Sequence, residues 1–306
     1  MNTDFHSLPQ LKDSITYVYL EHSIIEQDDM SICSIDKDGK TPIPVASTTC
    51  LLLGPGTKIT HAAVRTLADN GCSVVWCGEH IRRFYSIGNN ETRSAKNILK
   101  QARLCMNDEL HLEVVKRMYL RRFPSSANND YSLQQLRGLE GARVKMAYKT
   151  ASRLSGIKWN SRNYKTDNWD DADEINKALS MANALLYSVC QAAIETMGFS
   201  TALGFIHTGK MLSFVYDIAD LYKAETTIPA AFEAVKNMYQ YKDLSTAVRS
   251  ICRQKFKDIN ILKRIPKDIA YIFDVKIEEQ NPEEAVGELW STDETSIPGG
   301  VNYDGA

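Results

Sequence analysis

The chain has 306 residues, 43% of them hydrophobic and 24% charged, which suffices to bury a core in one large domain or two ordinary ones. It contains no run of about 18 apolar residues, excluding a membrane-spanning helix, and its opening "MNTDFHSLPQLKD" lacks the basic flank and apolar run of a signal peptide. The net charge of −2 conceals an asymmetry: residues 277–306 hold eight acidic side chains and no Lys or Arg, so the remainder carries +6, compatible with a polyanionic partner.

The first part reads as strands. "SITYVYLEHSII" alternates, "SICSID" and "TPIPV" flank the turn residues Asp38-Gly39, and "TTCLLLGPG" ends in a Gly-Pro-Gly break. A short helix follows, capped by Thr60, with Ala63, Val64 and Leu67 facing inward and Gly71 stopping it. "CSVVWCGE" and "IRRFYSIG" return to strand. Seven cysteines, with no CxxC pair, read as reduced thiols of a cytoplasmic protein and not as a disulfide framework or a zinc site.

After Gly88 the pattern turns helical, with Asn89-Asn90 at the boundary. The 3-and-4 spacing predicts helices over 91–122, 132–155, 173–198, 213–224, 228–239 and 243–258, and helical character continues to about Tyr271. The expected fold class is α+β: a small N-terminal β-rich domain, 1–88, before a larger all-α domain, 89–276. Residues 277–306 are expected to be a flexible acidic tail.

In "YSLQQLRGLEGARVKMAYKTA", Leu133, Leu136, Val144, Ala147 and Ala151 form one inward stripe, and Glu140 occupies its missing position. A carboxylate on a core-facing line needs a cation beside it or must stay neutral. One reading pairs it with Arg137 or Arg143; the other makes it functional, with Gly138 and Gly141 clearing room for something to approach. In "GFIHTGKMLSFVYDIADLYK", His207 precedes the turn signal Thr208-Gly209, and Asp217 and Asp220 lie at i, i+3 on one helix face. Phe214, Ile218, Leu221 and Tyr222 form the adjacent apolar face, so the carboxylates sit at the edge of the core. Each feature alone is ordinary. Together Glu, His and Asp can supply oxygen and nitrogen ligands for Mg²⁺ or Mn²⁺, which can activate a phosphodiester.

"DDADE", Asp170 to Glu174, is denser in acid but directly precedes a helix, where acidic residues cap free N–H groups. Arg249, Arg253 and Lys257 stand at i, i+4, i+8, followed by Lys263, Arg264 and Lys267, and Arg82-Arg83 lie on a strand. With Tyr164, Trp169 and Tyr187 they would suit phosphates and splayed bases; the plainer account is a solvated face plus core aromatics.

"LRGLEGARVK", "NWDDADEIN" and "GFIHTGKMLSFVYDIADLYK" resemble the CRISPR-associated integrase that is the catalytic subunit of spacer acquisition, the third stretch being similar to the subtype I-E version. The resemblance runs from about Leu8 to about residue 276 and includes "PGTKITHAAVRTLADNGCSVVWCGE". It implies Glu140, His207 and Asp220 as metal ligands, Asp217 as a further acidic site residue, and Lys58, Arg65, Arg83, Lys223 and Arg249 as DNA-contacting positions. His22 departs from it, since related subtype I-E proteins tend to carry a tyrosine there to stack on the DNA end. The resemblance further implies a homodimer through the β domains, a small ferredoxin-like companion subunit contacted by the acidic tail, and metal-dependent transesterification. In that reaction the 3′-hydroxyl of a short DNA fragment attacks a phosphodiester at the edge of a CRISPR repeat. Two rivals stand beside it: a non-catalytic helical DNA-binding scaffold, and a small-diphosphate enzyme using DDADE.

Overall fold

The computed structural model describes residues 17–48, 50–78, 84–88, 95–123, 131–162 and 173–275, together with the backbone of 288–289 and 297–298. Eight strands lead: β1 (Tyr17–Leu20), β2 (Ile24–Asp28), β3 (Ser31–Asp36), β4 (Gly39–Ile43), β5 (Cys50–Leu53), β6 (Lys58–Ile59), β7 (Ser73–Cys77) and β8 (Phe84–Gly88), with helix α1 (His61–Asp69) between β6 and β7. They form two four-stranded sheets, ordered β1-β5-β7-β8 and β4-β3-β2-β6. In the first, β1, β5 and β7 run parallel and β8 antiparallel. In the second, β2, β3 and β4 form an antiparallel meander, with β6 parallel to β2.

The alternating stretch "SITYVYLEHSII" is not one strand. His22 takes φ 51°, a left-handed turn that sends β1 into the first sheet and β2 into the second. Successive side chains of a strand point to opposite faces. In β5, Leu51 and Leu53 therefore pack with Ile25, Ile32, Ala63 and Leu67 under α1, while Cys50 and Leu52 pack with Val75, Cys77 and Ala192 of the helical region. A strand covered on both faces needs a continuous apolar run, and CLLL supplies it. All seven cysteines are free thiols.

The helical region comprises α2 (Lys96–Met106), α3 (Asp108–Arg122), α4 (Leu133–Ser155), α5 (Glu174–Thr196), α6 (Ser213–Ala219), α7 (Thr227–Lys236), α8 (Leu244–Asp258) and α9 (Ile261–Phe273). This is the α+β arrangement expected, β-rich first and helical after. Two elements differ from the sequence expectation. The helix over 91–122 is split at Asn107, whose side chain accepts from Leu110 N–H and starts α3. The helix over 213–224 stops at Ala219, and residues 220–226 continue as turns. Helix α9 falls where helical character was expected to continue, and forms with Pro266 inside it because Ile261, Ile265, Ile269, Ile272 and Phe273 bury one apolar face. The expected Thr60 cap of α1 is present, accepting from Ala63 N; α4 is bounded by a reciprocal Ser132–Gln135 capping box and by Gly156 at φ 78°.

Asn89-Asn90 and most of residues 276–306 lie outside the described residues; within the latter, β9 (Glu288–Leu289) pairs antiparallel with β10 (Ile297–Pro298). Among the described residues no helix is long and apolar enough to cross a membrane.

Candidate active site

The site grows from a tight loop. Gly204 lies so close to His207 O and Ser213 Cβ that any side chain at 204 would collide with both. That approach turns the backbone N–H groups of residues 205–207 toward α6. Asp217, fully buried on α6, receives them: Phe205 N donates to its Oδ2 at 2.7 Å, Ile206 N to Oδ2 at 3.1 Å and His207 N to Oδ1 at 2.8 Å. The loop is held from behind as well. Gln101 bonds Ser200 O, Leu203 O and Ser200 N, and His111 Nε2 lies 2.8 Å from Phe205 O.

A fourth contact orients the imidazole. His207 Nδ1 is 2.7 Å from Asp217 Oδ1. A buried carboxylate that already accepts backbone hydrogen bonds can only accept, so the proton sits on Nδ1 and the ring presents Nε2 outward. Nε2 faces Asp220 Oδ2 at 3.9 Å. Asp217 and Asp220 thus do lie near one another, but on opposite edges of the imidazole and in different surroundings: Asp217 is sealed, Asp220 caps the open end of α6. The hydrogen bond to Asp217 raises the His207 pKa above its ordinary 6.5, outweighing partial burial, with help from the Asp220 charge.

Glu140 approaches from α4, 17% exposed. Its Oε1 lies 3.3 Å from Arg122 Nη1 and its Oε2 3.6 Å from Arg143 Nη1. The partner anticipated in Arg143 is present; Arg137 is exposed, and Arg122 of α3 takes the second place. Both arginines also bond the α6 segment, Arg122 to Asp217 O and Arg143 to Leu221 O, each at 3.3 Å. The sequence carried a signal for Arg122. It follows Val115 and Met118 on the buried stripe of α3, the same kind of anomaly that singled out Glu140.

Lys223 Nζ sits 2.7 Å from Asp220 Oδ1 and 4.9 Å from the centre of the Tyr187 ring. Burial opposes its charge, but Asp220 and Tyr187 hold its pKa above the ordinary lysine value. Tyr187 packs edge-on to Tyr216, whose ring stands 5.9 Å from that of His207. Lys223 and Tyr187 are therefore parts of the site wall, with Lys223 already neutralised. Tyr216, which the sequence did not single out, completes that wall.

Among the described residues, no three His, Cys, Asp or Glu side chains converge as a metal cluster. Glu140 faces its arginines and Asp220 its lysine. The donor types nevertheless fit a hard divalent cation, two carboxylates and an imidazole Nε2. One of those donors, Glu140 Oε2, is buried without a hydrogen-bond partner.

The other sequence candidates are dispersed. Lys58 is exposed on β6, and Arg65 is exposed on α1 beside Asp69 at 3.6 Å. Arg249 is partly buried on α8 and bonds Ser245 O and Thr246 Oγ1, while Arg253 is exposed one turn on. Arg264 pairs with Glu225 and the buried Asp268, tying α9 to the segment after α6. Arg83, Tyr164 and Trp169 lie outside the described residues, as do Asp170 and Asp171 of DDADE. Asp173 caps α5, accepting from Asn176 N at 2.9 Å. His22 lays its ring against Gly56, and its backbone N–H donates to Pro55 O.

Fold and site define a class: a β-rich region joined to a helical region, with a carboxylate-oriented histidine between acidic groups on the helical side. The family described as CRISPR associated protein Cas1 matches residues 16–129 and 118–251. A relative from Thermus thermophilus, "CRISPR-associated endonuclease Cas1 2", is 45% identical over 304 residues, 97% of this chain and 93% of that one. The "CRISPR-associated endonuclease Cas1" of Escherichia coli is 40% identical over 256 residues, 83% of each chain. A crystal structure of a TtCas1–DNA complex superposes with a TM-score of 0.76 at 47% identity, covering 87% of this chain and 99% of that one. The chain belongs to the CRISPR associated protein Cas1 family.

Proposed function

We propose that this protein is a metal-dependent DNA integrase and endonuclease of the subtype I-E kind. It inserts short DNA fragments into a CRISPR array by attack of a 3′-hydroxyl on repeat-edge phosphodiesters. The observation that carries the reading is the Asp217–His207–Asp220 arrangement, in which a buried carboxylate fixes the imidazole so that Nε2 meets the more open carboxylate. Similarity over nearly the whole chain to relatives named as endonucleases, and to a chain solved with DNA, supports the substrate class.

Glu140, His207 and Asp220 would hold Mg²⁺ or Mn²⁺. Such a cation, when bound, supplies Lewis-acid stabilisation of the attacking and leaving oxygens. Asp217 acts through His207, as a positioning residue that selects the tautomer leaving Nε2 unprotonated. Tyr187 and Tyr216 wall the site beside His207 with aromatic surface on which a base can stack. Lys58, Arg65, Arg83, Lys223, Arg249 and Arg253 contribute phosphate contacts, joined by Tyr164 and Trp169. Binding by this chain alone should then be salt-sensitive and weakly sequence-dependent, each lost duplex phosphate contact lowering the salt slope by about 0.9.

The β-rich domain, 1–88, serves homodimerisation, and the helical domain, 89–276, catalysis. The acidic tail contacts a small ferredoxin-like companion subunit in the cytoplasm. A strand-transfer assay decides: this protein, the companion, a short duplex with free 3′ ends, Mg²⁺ or Mn²⁺, and a repeat-bearing plasmid. Insertion at repeat edges that disappears with chelator is the expected result; metal-independent binding without any joined product would refute the reading. One observation favours a second reading, a non-catalytic DNA-binding scaffold: Glu140 is already neutralised by two arginines.

A further inference from the structure

Six buried side-chain polar atoms among the described residues lack a hydrogen-bond partner, and three of them belong to one ionic cluster: Glu140 Oε2 and, on the two arginines paired with Glu140, Arg143 Nη1 and Arg122 Nε. Glu140 Oε2 and Arg143 Nη1 are 3.6 Å apart, an ion pair too long to be a hydrogen bond. Buried polar groups are almost always satisfied, so a cluster of orphans asks for an additional occupant or a rearrangement.

The two arginines differ. Arg122 has a side chain only 1% exposed and comes from another helix, α3. Its Nη1 lies 3.3 Å from Glu140 Oε1, its Nη2 donates to Asp217 O, and its guanidinium lies 5.2 Å above the centre of the Tyr119 ring. Arg143 is 23% exposed and stands one turn along Glu140's own helix. Besides the long ion pair it bonds, among the described residues, Leu221 O at 3.3 Å, and its guanidinium lies 5.9 Å from the centre of the Phe123 ring. Arg122 is sealed and bridges from another helix; Arg143 is the more exposed of the two, holds Glu140 at the longer distance and rides on Glu140's own helix.

We infer that the arginines divide two tasks at Glu140: Arg122 is a fixed positioning residue, and Arg143 is a displaceable counter-ion that occupies the charge position of a divalent cation. This rests on the metal reading given above. Arg122 ties Glu140 to the backbone of Asp217, so the carboxylate keeps its place relative to the segment that carries Asp220. Arg143 neutralises Oε2 when no cation is present and swings out when one is taken up. A guanidinium close to a divalent ion repels it, so Arg143 lowers metal affinity, while Arg122, on the far oxygen, raises it by orienting the ligand.

The test is Mn²⁺ titration of the full-length protein without DNA, by calorimetry with electron paramagnetic resonance of free Mn²⁺. It compares the wild type with Arg143→Met, Arg143→Lys, Arg122→Lys and Glu140→Gln. Arg143→Met should bind Mn²⁺ about tenfold more tightly. Arg143→Lys should stay near wild type, since it keeps the charge. Arg122→Lys should bind about tenfold to a hundredfold more weakly, because an ammonium cannot bridge Glu140 and Asp217 O as the fork does. Arg143→Met should also melt lowest in chelator and show the largest upward shift with Mn²⁺. Unchanged or weaker Mn²⁺ binding by Arg143→Met, while Glu140→Gln still abolishes it, overturns this inference and leaves the metal reading standing. Binding that is absent, or indifferent to Glu140→Gln, overturns both. If Arg122→Lys does not fold, the two Arg143 variants carry the decision by themselves.

Discussion

The two sides of the site are built by different physics. On the His207 side, Asp217 accepts three backbone N–H bonds and one imidazole N–H bond, all at 2.7–3.1 Å, from a loop about ten residues upstream. On the Glu140 side, a carboxylate from α4 meets arginines from α3 and α4 at 3.3 and 3.6 Å, with donors and acceptor left over. Short directional hydrogen bonds specify geometry; longer ion pairs specify charge and tolerate movement. The histidine side is therefore preorganised, and the glutamate side is the adjustable one.

The largest expected effects test whether this preorganisation serves chemistry. His207→Ala and Asp220→Asn should each reduce strand transfer to background; His207→Ala should shift the melting temperature little, because His207 is 43% exposed, whereas Asp220→Asn also breaks the 2.7 Å pair with the largely buried Lys223 and should lower it. A gel assay beside thermal melts checks this, and retained joining by Asp220→Asn would remove Asp220 from the chemistry. Next in size is stability. Asp217→Ala strands three backbone donors and should cost about 3–5 kcal/mol in urea unfolding. Glu140→Gln, which breaks no hydrogen bond seen here but leaves Arg122 buried beside a neutral group, should cost about 1–3 kcal/mol. Equal losses would erase the distinction between the two sides.

Asp173→Ala separates the acidic run from the site. It removes the α5 cap and should cost about 1 kcal/mol without affecting strand transfer. Loss of metal-dependent joining with an unchanged melting curve would move the chemistry to DDADE. The smallest effect concerns pH. The folded His207 pKa is raised, so its contribution to stability is complete below the unfolded value of 6.5 and is lost as pH rises through the folded value. In chelator, the stability advantage of wild type over His207→Gln should be greater at about pH 6 than at about pH 9. An advantage that grows with pH would contradict the assigned bond to Asp217.

Local rules made much of this protein legible from sequence. The Thr60 cap of α1, the Asp173 cap of α5 and the uninterrupted apolar run of β5 follow from neighbours within a few residues. The same patterning marked Glu140 as a charge on an apolar stripe and placed Asp217 and Asp220 on one face at the edge of the core. Helix α9 lies where helical character was expected to continue, and burial of its isoleucine face carries it through Pro266. The strand pattern around His22 concealed a change of sheet, since alternation does not reveal which sheet a strand joins. What each carboxylate does was decided only in three dimensions. Spacing treated Asp217 and Asp220 alike, yet one is sealed by backbone N–H groups and the other opens toward Lys223. Likewise Arg122 reaches Glu140 across eighteen positions of chain. Hydrogen-bond partners and counter-ions are properties of the folded interior, where the cost of burying charge selects whichever complementary group the packing brings within reach.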